Sequence, residues 1–284
     1  VNRPEGVGAT AVFVAAGRAF ESERDDHLFD DQWAGRFVRS AGWVPSTEAM
    51  DDTSREMLTT WMAVRTKFLD DYVLAAVAGG CGQVVLLGAG LDSRAFRLPW
   101  PKPVTVYELD TSEMVAFKSA VLGAATPGAA TRIVVPIDLR DDWPAALTDA
   151  GFLPDVPTAW ILEGLLLYLP EDAVDGLIRR VGDLSAPGSE IGATVTNVDV
   201  EAVRNDPNAF QHGLLGREEW LDLLNWNGPD DPEIWLGGYG WDATAVPTDD
   251  LTRRYGRTLS TEAMQRPARP GDRWMVSAVR RREA

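Results

Sequence analysis

The stretch Gln83–Leu98, QVVLLGAGLDSRAFRL, restricts the fold more than any other part of this 284-residue chain. Val84-Val85-Leu86-Leu87 runs directly into Gly88-Ala89-Gly90. Four apolar residues bounded by glycine suit a strand covered on both faces, as in a parallel sheet. Gly88 and Gly90 let the backbone turn sharply and approach a ligand with no Cβ in between. In open α/β sheets ligands sit at the carboxyl ends of the strands, which is where this turn falls.

The rest of the chain supplies the partners such a strand needs. Val104–Tyr107 reads as a second strand leading to Glu108-Leu109-Asp110, with Thr111 placed to cap a helix running to about Leu122. A third strand, Ile133–Ile137, carries Pro136, which suits an edge position, and leads into Asp138-Leu139-Arg140. A short helix over Trp143–Ala150 precedes a fourth strand, Thr158–Leu162, ending in Glu163-Gly164. Pro170 opens a helix to about Leu184, and Glu190–Thr196 is the fifth strand. Beyond it come helices over Arg217–Asn225 and from Pro232 to about Gly240, a strand over Trp241–Val246, a helix over Thr248–Tyr255 and a last strand over Trp274–Val279.

Ahead of the first strand lie helical patterns over Thr10–Phe20 and Asp31–Ser40, then a long helix from a cap at Asp52, Thr53 or Ser54 to about Ala78. Residues 1–80 thus form a helical cap with a long helix packing on the core. Residues 81–284 form the core, with a lid insertion at about 197–240. The cap reads either as plain packing over a sheet edge or as a lid over the ligand.

Composition narrows the chemistry. The single Cys81 rules out an intrachain disulfide and a cysteine-rich zinc site, and no metal site is expected. A formal net charge of -16 argues against nucleic acid as a partner. The opening residues lack a basic segment followed by an apolar run, and no stretch is apolar for long enough to span a membrane, so a cytoplasmic protein is expected. Most of the eleven tryptophans are expected in the core and lid.

Three successive strands end in acids: Asp110, Asp138 and Glu163. Each alone could be a helix cap or a solvated loop residue. Together they describe an acidic rim suited to hydroxyls, amines and a cation, and ill suited to pyrophosphate. Asp110 follows Gly90 by 20 positions, near the spacing at which an acid meets a ribose in nucleotide-binding βαβ units. A nicotinamide-binding G-x-G-x-x-G would need glycine at position 93, which is Ser93. Arg65 lies beside Val64 and Phe68, where spacing alone favours a structural salt bridge.

The stretches GVGATAVFVAAGRAFESE, VVLLGAGLDSRAFRL, VYELD, ILEGLLLYLPEDAV and RWMVSAVRR resemble the leucine carboxyl methyltransferase-like family. These are class I methyltransferases that use S-adenosyl-L-methionine and release S-adenosyl-L-homocysteine, with a bacterial branch acting on small molecules such as polyketide carboxylic acids. The resemblance implies a Rossmann-like α/β fold: a seven-stranded, mostly parallel sheet with an antiparallel last strand, plus the N-terminal cap. It also implies roles. Arg65 would bind the methionine carboxylate, and Gly88 and Gly90 would form the turn beneath the ligand. Asp110 would hold the ribose, with Glu108 as the alternate. Asp138 and Leu139 would flank the adenine, and Glu163 would lie near the ligand's amino group. Tyr168 belongs to the last of these motifs, and Arg18 and Glu21 belong to the cap.

The expected activity is methyl transfer to a carboxylate of a small organic molecule. Such an acceptor is ionised at neutral pH and needs no general base, which fits a chain holding only His27 and His212. The alternatives are a phenol or alcohol acceptor, with His212 or Tyr168 as the catalytic candidate, and a cofactor-binding homologue without turnover.

Overall fold

A computed structural model describes residues 4–43, 52–197, 201, 205, 217–260 and 273–281. Seven strands form one sheet in the order β3-β2-β1-β4-β5-β7-β6. They are β1 (Gln83–Leu87), β2 (Val104–Asp110), β3 (Ala130–Pro136), β4 (Thr158–Leu162), β5 (Glu190–Thr196), β6 (Trp241–Pro247) and β7 (Arg273–Arg280). The first five pair in parallel, and β7 runs antiparallel between β5 and β6. β1 and β4 are buried at every residue, as the unbroken apolar runs require of central strands covered on both faces. Pro136 ends the edge strand β3, where a missing N–H costs no interior ladder bond.

Three helices precede the sheet: α1 (Val7–Ser22), α2 (Ala34–Ser40) and α3 (Asp52–Gly79). α1 starts three residues before the expected Thr10, and α2 starts three residues after the expected Asp31. Asp31 instead turns its carboxylate onto the N–H groups of Trp33 and Ala34, holding the entry to α2. α3 is already helical at Asp52, so its cap position falls outside the described residues.

α3 packs across the sheet. Leu69, Val73, Ala76 and Val77 meet Val84, Leu86, Val106, Ala159 and Ile161 in one buried cluster. Tyr72 of α3 lies against Gly192 of β5, where a Cβ would overlap the tyrosine ring. The other face of the sheet buries Tyr107, Leu109, Trp160, Leu162, Ile191 and Val276 beneath α6 (Trp143–Asp149) and α7 (Glu171–Asp183). A four-residue α4 (Arg94–Arg97) follows the β1 turn. Between β2 and β3 lies α5 (Ser112–Leu122), capped by the Thr111 side chain accepting from the Met114 N–H.

Much of the expected lid, including His212, lies outside the described residues. The remainder holds α8 (Arg217–Asp222) and α9 (Pro232–Gly237), with α10 (Thr248–Arg254) following β6. Trp226 and Leu236 from this segment join the main core. α8 stops short of the expected Asn225, whose N–H instead donates to the Leu167 carbonyl at 2.9 Å. Among the described residues no helix is long and apolar enough to cross a membrane.

Candidate active site

A cavity of about 720 Å³ opens at the carboxyl ends of β1, β2, β4 and β5 and is roofed by α1 through Gly8, Thr10, Ala11 and Val14. Its volume is in the range of small-molecule sites. Gly88 and Gly90 form its floor, both with positive φ (65° and 46°), a conformation that costs glycine little. The approach is also close: a Cβ on Gly90 would come 3.2 Å from Ala11 of the roof. The cap is therefore a wall of the cavity in addition to its packing on α3.

Asp110 ends β2 beside this floor. Its Oδ2 accepts from the Gly90 N–H at 2.6 Å and its Oδ1 from the Thr111 N–H at 2.7 Å. It thereby pins the turn, and an ionised carboxylate with about four acceptor directions still has two to offer hydroxyls. Burial pushes its pKa up, partly opposed by these two N–H groups. Asp138 and Leu139 line the same end of the cavity. Asp138 is held by Arg140 at 2.5 Å, which keeps its carboxyl below the usual range.

Glu108 is displaced from the site by the structure. It shares a face of β2 with Asp110 but sits two residues short of the strand end, covered by α5 and β3. There it is 2% exposed and pairs with Lys118 at 2.8 Å and Arg132 at 2.7 Å. It is not part of the cavity lining, so the alternate ribose role has no geometric support.

Glu163, at the end of β4, forms the middle of the wall. Arg65 Nε donates to its Oε1 at 2.8 Å and Arg94 Nη1 to its Oε2 at 2.6 Å. Burial alone would raise this carboxyl; Arg94 and Arg65 outweigh it and hold Glu163 far below the usual carboxylate range. The salt bridge expected of Arg65 is thus present. It uses only Nε, and the two terminal nitrogens lie over Gly164, where a Cβ would come within 3.3 Å of Nη1. Those nitrogens have no protein partner among the described residues and remain available to a ligand carboxylate.

The acidic rim is therefore not a rim of free charge. Glu163 carries two arginine partners because a carboxylate removed from water needs them, the partly exposed Asp138 pairs with the exposed Arg140, and Asp110 alone of the three has no ion pair among the described residues. Two participants escape a reading of the sequence. Arg94 is fully buried, pairing with Asp70 at 2.8 Å and with Asp92 as well as Glu163. Arg97 pairs with the same Asp70 at 2.6 Å. Arg94 and Arg97 beside Leu91, Ala95 and Leu98 could have been suspected, since arginines in an apolar stretch imply counter-charges nearby. Their partner Asp70 is distant in sequence.

Arg18 lines the cavity, but its guanidinium is committed to Asp31 at 2.9 Å and to the Leu91 carbonyl at 2.7 Å. Glu21 faces away and pairs with Arg257. Tyr168 lines the cavity at the 3-10 turn Leu166–Tyr168. No cluster of metal-ligating side chains is present among the described residues.

The donor set suits S-adenosyl-L-methionine. A glycine floor admits close approach, the half-buried Asp110 carboxylate can accept from hydroxyls, and the terminal nitrogens of Arg65 can donate to a carboxylate. Fold and site together define a class I methyltransferase. The chain belongs to the leucine carboxyl methyltransferase family, whose model matches residues 11–182. A Frankia alni protein named as a putative S-adenosyl-L-methionine-dependent methyltransferase is 45% identical over 98% of this chain and 96% of its own. A Streptomyces coelicolor protein of the same description is 44% identical over 98% of this chain and 97% of its own. Among solved structures, a DUF574 family protein from Streptomyces avermitilis shares the fold with a TM-score of 0.56 at 17% identity, covering 87% of this chain and 96% of that one. A Thermobifida fusca protein named as a putative methyltransferase gives 0.51 at 18%, covering 93% and 94%.

Proposed function

We propose that this S-adenosyl-L-methionine-dependent methyltransferase esterifies the carboxylate of a small organic acid by direct transfer. The observation that carries the reading is the state of Glu163. The acid at the middle of the cavity wall is clamped by two arginines and held far below the usual carboxylate range. A carboxylate so stabilised is a poor proton acceptor. An acceptor that arrives ionised asks nothing of it.

When bound, the cofactor supplies an electrophilic methyl group on a sulfonium. Asp110 would hold the ribose hydroxyls and the terminal nitrogens of Arg65 the methionine carboxylate. Asp138 and Leu139 would sit beside the adenine, and Gly88 and Gly90 would leave room beneath. The roof of α1 covers one side of the cavity, and a site that closes over its ligands and sheds water favours the cancellation of opposite charges between carboxylate and sulfonium. Alignment of the two reactants supplies the remaining acceleration. The products are a methyl ester and S-adenosyl-L-homocysteine.

Incubation with cofactor carrying a deuterated methyl group and a panel of organic acids and phenols, read by mass spectrometry, tests this. A labelled product that mild alkali saponifies is expected. Label found only in alkali-stable ethers would replace the carboxylate with a hydroxyl acceptor and bring the general-base reading forward.

A further inference from the structure

We propose that Arg273 is the anion anchor of the methyl acceptor, which is therefore an organic anion with an apolar body. The proposal rests on the carboxyl-methylation reading above and adds the residue that selects the acceptor. Arg273 opens β7 and pairs in register with Thr196, the last residue of β5. The antiparallel course of β7 thus delivers its first residue to the same end of the sheet at which the parallel strands finish. Arg273 lines the cavity there together with Trp61, Phe13, Val14 and Leu224. Asp110 and Asp138 line the part formed at the ends of β2 and β3.

The other arginines of the cavity wall each have a carboxylate: Arg18 has Asp31, Arg65 has Glu163 and Arg140 has Asp138. The guanidinium of Arg273 has neither an ion pair nor a hydrogen bond among the described residues. Asp249 attracts it only from a distance, and burial lowers its pKa to about 10, which leaves it cationic at neutral pH. Its guanidinium carbon lies 5.2 Å from the centroid of the Trp61 ring. That contact orients the planar fork, and arginine is suited to meeting a carboxylate by two parallel hydrogen bonds or by one. A partly desolvated cation with no counter-ion among the described residues is stabilised more by an incoming anion than by a neutral alcohol, whose oxygen accepts a weaker hydrogen bond and brings no charge. The apolar neighbours Phe13, Val14 and Leu224 supply the surface for the rest of the molecule. A carboxylate held through one oxygen keeps its other oxygen for the methyl group.

The test uses the full chain saturated with S-adenosyl-L-homocysteine, with 2-naphthoate and its neutral counterpart 2-naphthamide as probes in calorimetric titrations. The wild type should bind the naphthoate about tenfold or more tightly than the amide, the scale of one charge-assisted hydrogen bond. Arg273→Gln should abolish that preference while S-adenosyl-L-homocysteine affinity stays within about twofold. Arg273→Lys, which keeps the charge but not the fork, should retain part of the preference and also serves if the glutamine variant does not fold. A wild type indifferent to the probe's charge, or unable to bind naphthoate, overturns the proposal; so does a preference that survives Arg273→Gln. The function reading fails differently: an Arg273-dependent preference together with methylation of hydroxyls alone would leave the anchor standing and remove carboxyl methylation.

Discussion

Glu163 shows how one carboxylate can have its chemistry set by its neighbours. Because its folded-state pKa is depressed, its ionised form stabilises the fold above the ordinary glutamate range, and that contribution is lost as pH falls below about 4.3 toward the folded value. Glu163→Gln should cost about 3–5 kcal/mol at pH 7 by stranding Arg65 and Arg94. Urea unfolding of both proteins from pH 7 to pH 3.5 should show the gap narrowing as acid is added; a constant gap would mean the carboxyl is not held low. Asp110 and Glu108 separate cleanly. Asp110→Ala should weaken S-adenosyl-L-homocysteine binding by about 1–3 kcal/mol, the cost of unmet polar partners. Glu108→Gln should leave binding within about twofold while lowering the melting temperature, since it unpairs the buried Lys118. Spacing from Gly90 favours Asp110 and the family resemblance admits Glu108 as an alternate; the packing of α5 and β3 over Glu108 is what separates the two. Arg94 was hidden for a related reason: beside the neighbouring Asp92, its partners Asp70 and Glu163 come from two other parts of the chain.

At the level of elements, the strands were the most legible feature. Runs such as Val84–Leu87 and Ala159–Leu162 have few other places to go than the middle of a sheet, and Pro136 belongs on an edge. Helix ends were less legible, because Asp31 at the start of α2 and Asn225 after α8 take partners that local spacing does not reveal. The fit of α3 on the sheet was not legible at all. It depends on Gly192 leaving room for the Tyr72 ring, and glycine within a strand carries no such message on its own. Gly192→Ala should therefore destabilise the protein by about 1–3 kcal/mol through overpacking. Combining it with Tyr72→Ala should cost less than the sum of the two single changes in urea unfolding. Additivity would show that β5 and α3 do not meet as described.

Across the whole molecule, one chain of charged and polar side chains ties the cap to the core. It runs from Arg18 through Asp31, Ser93, Arg97, Asp70 and Arg94 to Glu163 and Arg65. A second tie joins Arg257 to Glu21 and Asp26 of the cap. Because α1 forms the cavity roof while resting on these links, cofactor binding should protect it. Amide hydrogen exchange over residues 7–22 should slow on addition of S-adenosyl-L-homocysteine, while β6 and β7 change little. Equal exchange in α1 with and without ligand would contradict its place as the roof.

The position of β7 also dictates an order of assembly. It is the last strand in sequence, yet it lies between β5 and β6, and β6 reaches the sheet only through it. The five parallel strands can pair as they emerge during synthesis, whereas β6 must wait with both edges open until β7 is made. Closure then joins residues far apart along the chain, the kind of contact that forms slowly. Arg273 arrives with that strand, so the proposed anion anchor joins the cavity only when the sheet closes, after the cap residues Phe13, Val14 and Trp61 and the turn at Gly88–Gly90 have been made. The nascent chain thus carries the apolar lining of the cavity before it carries the proposed anchor.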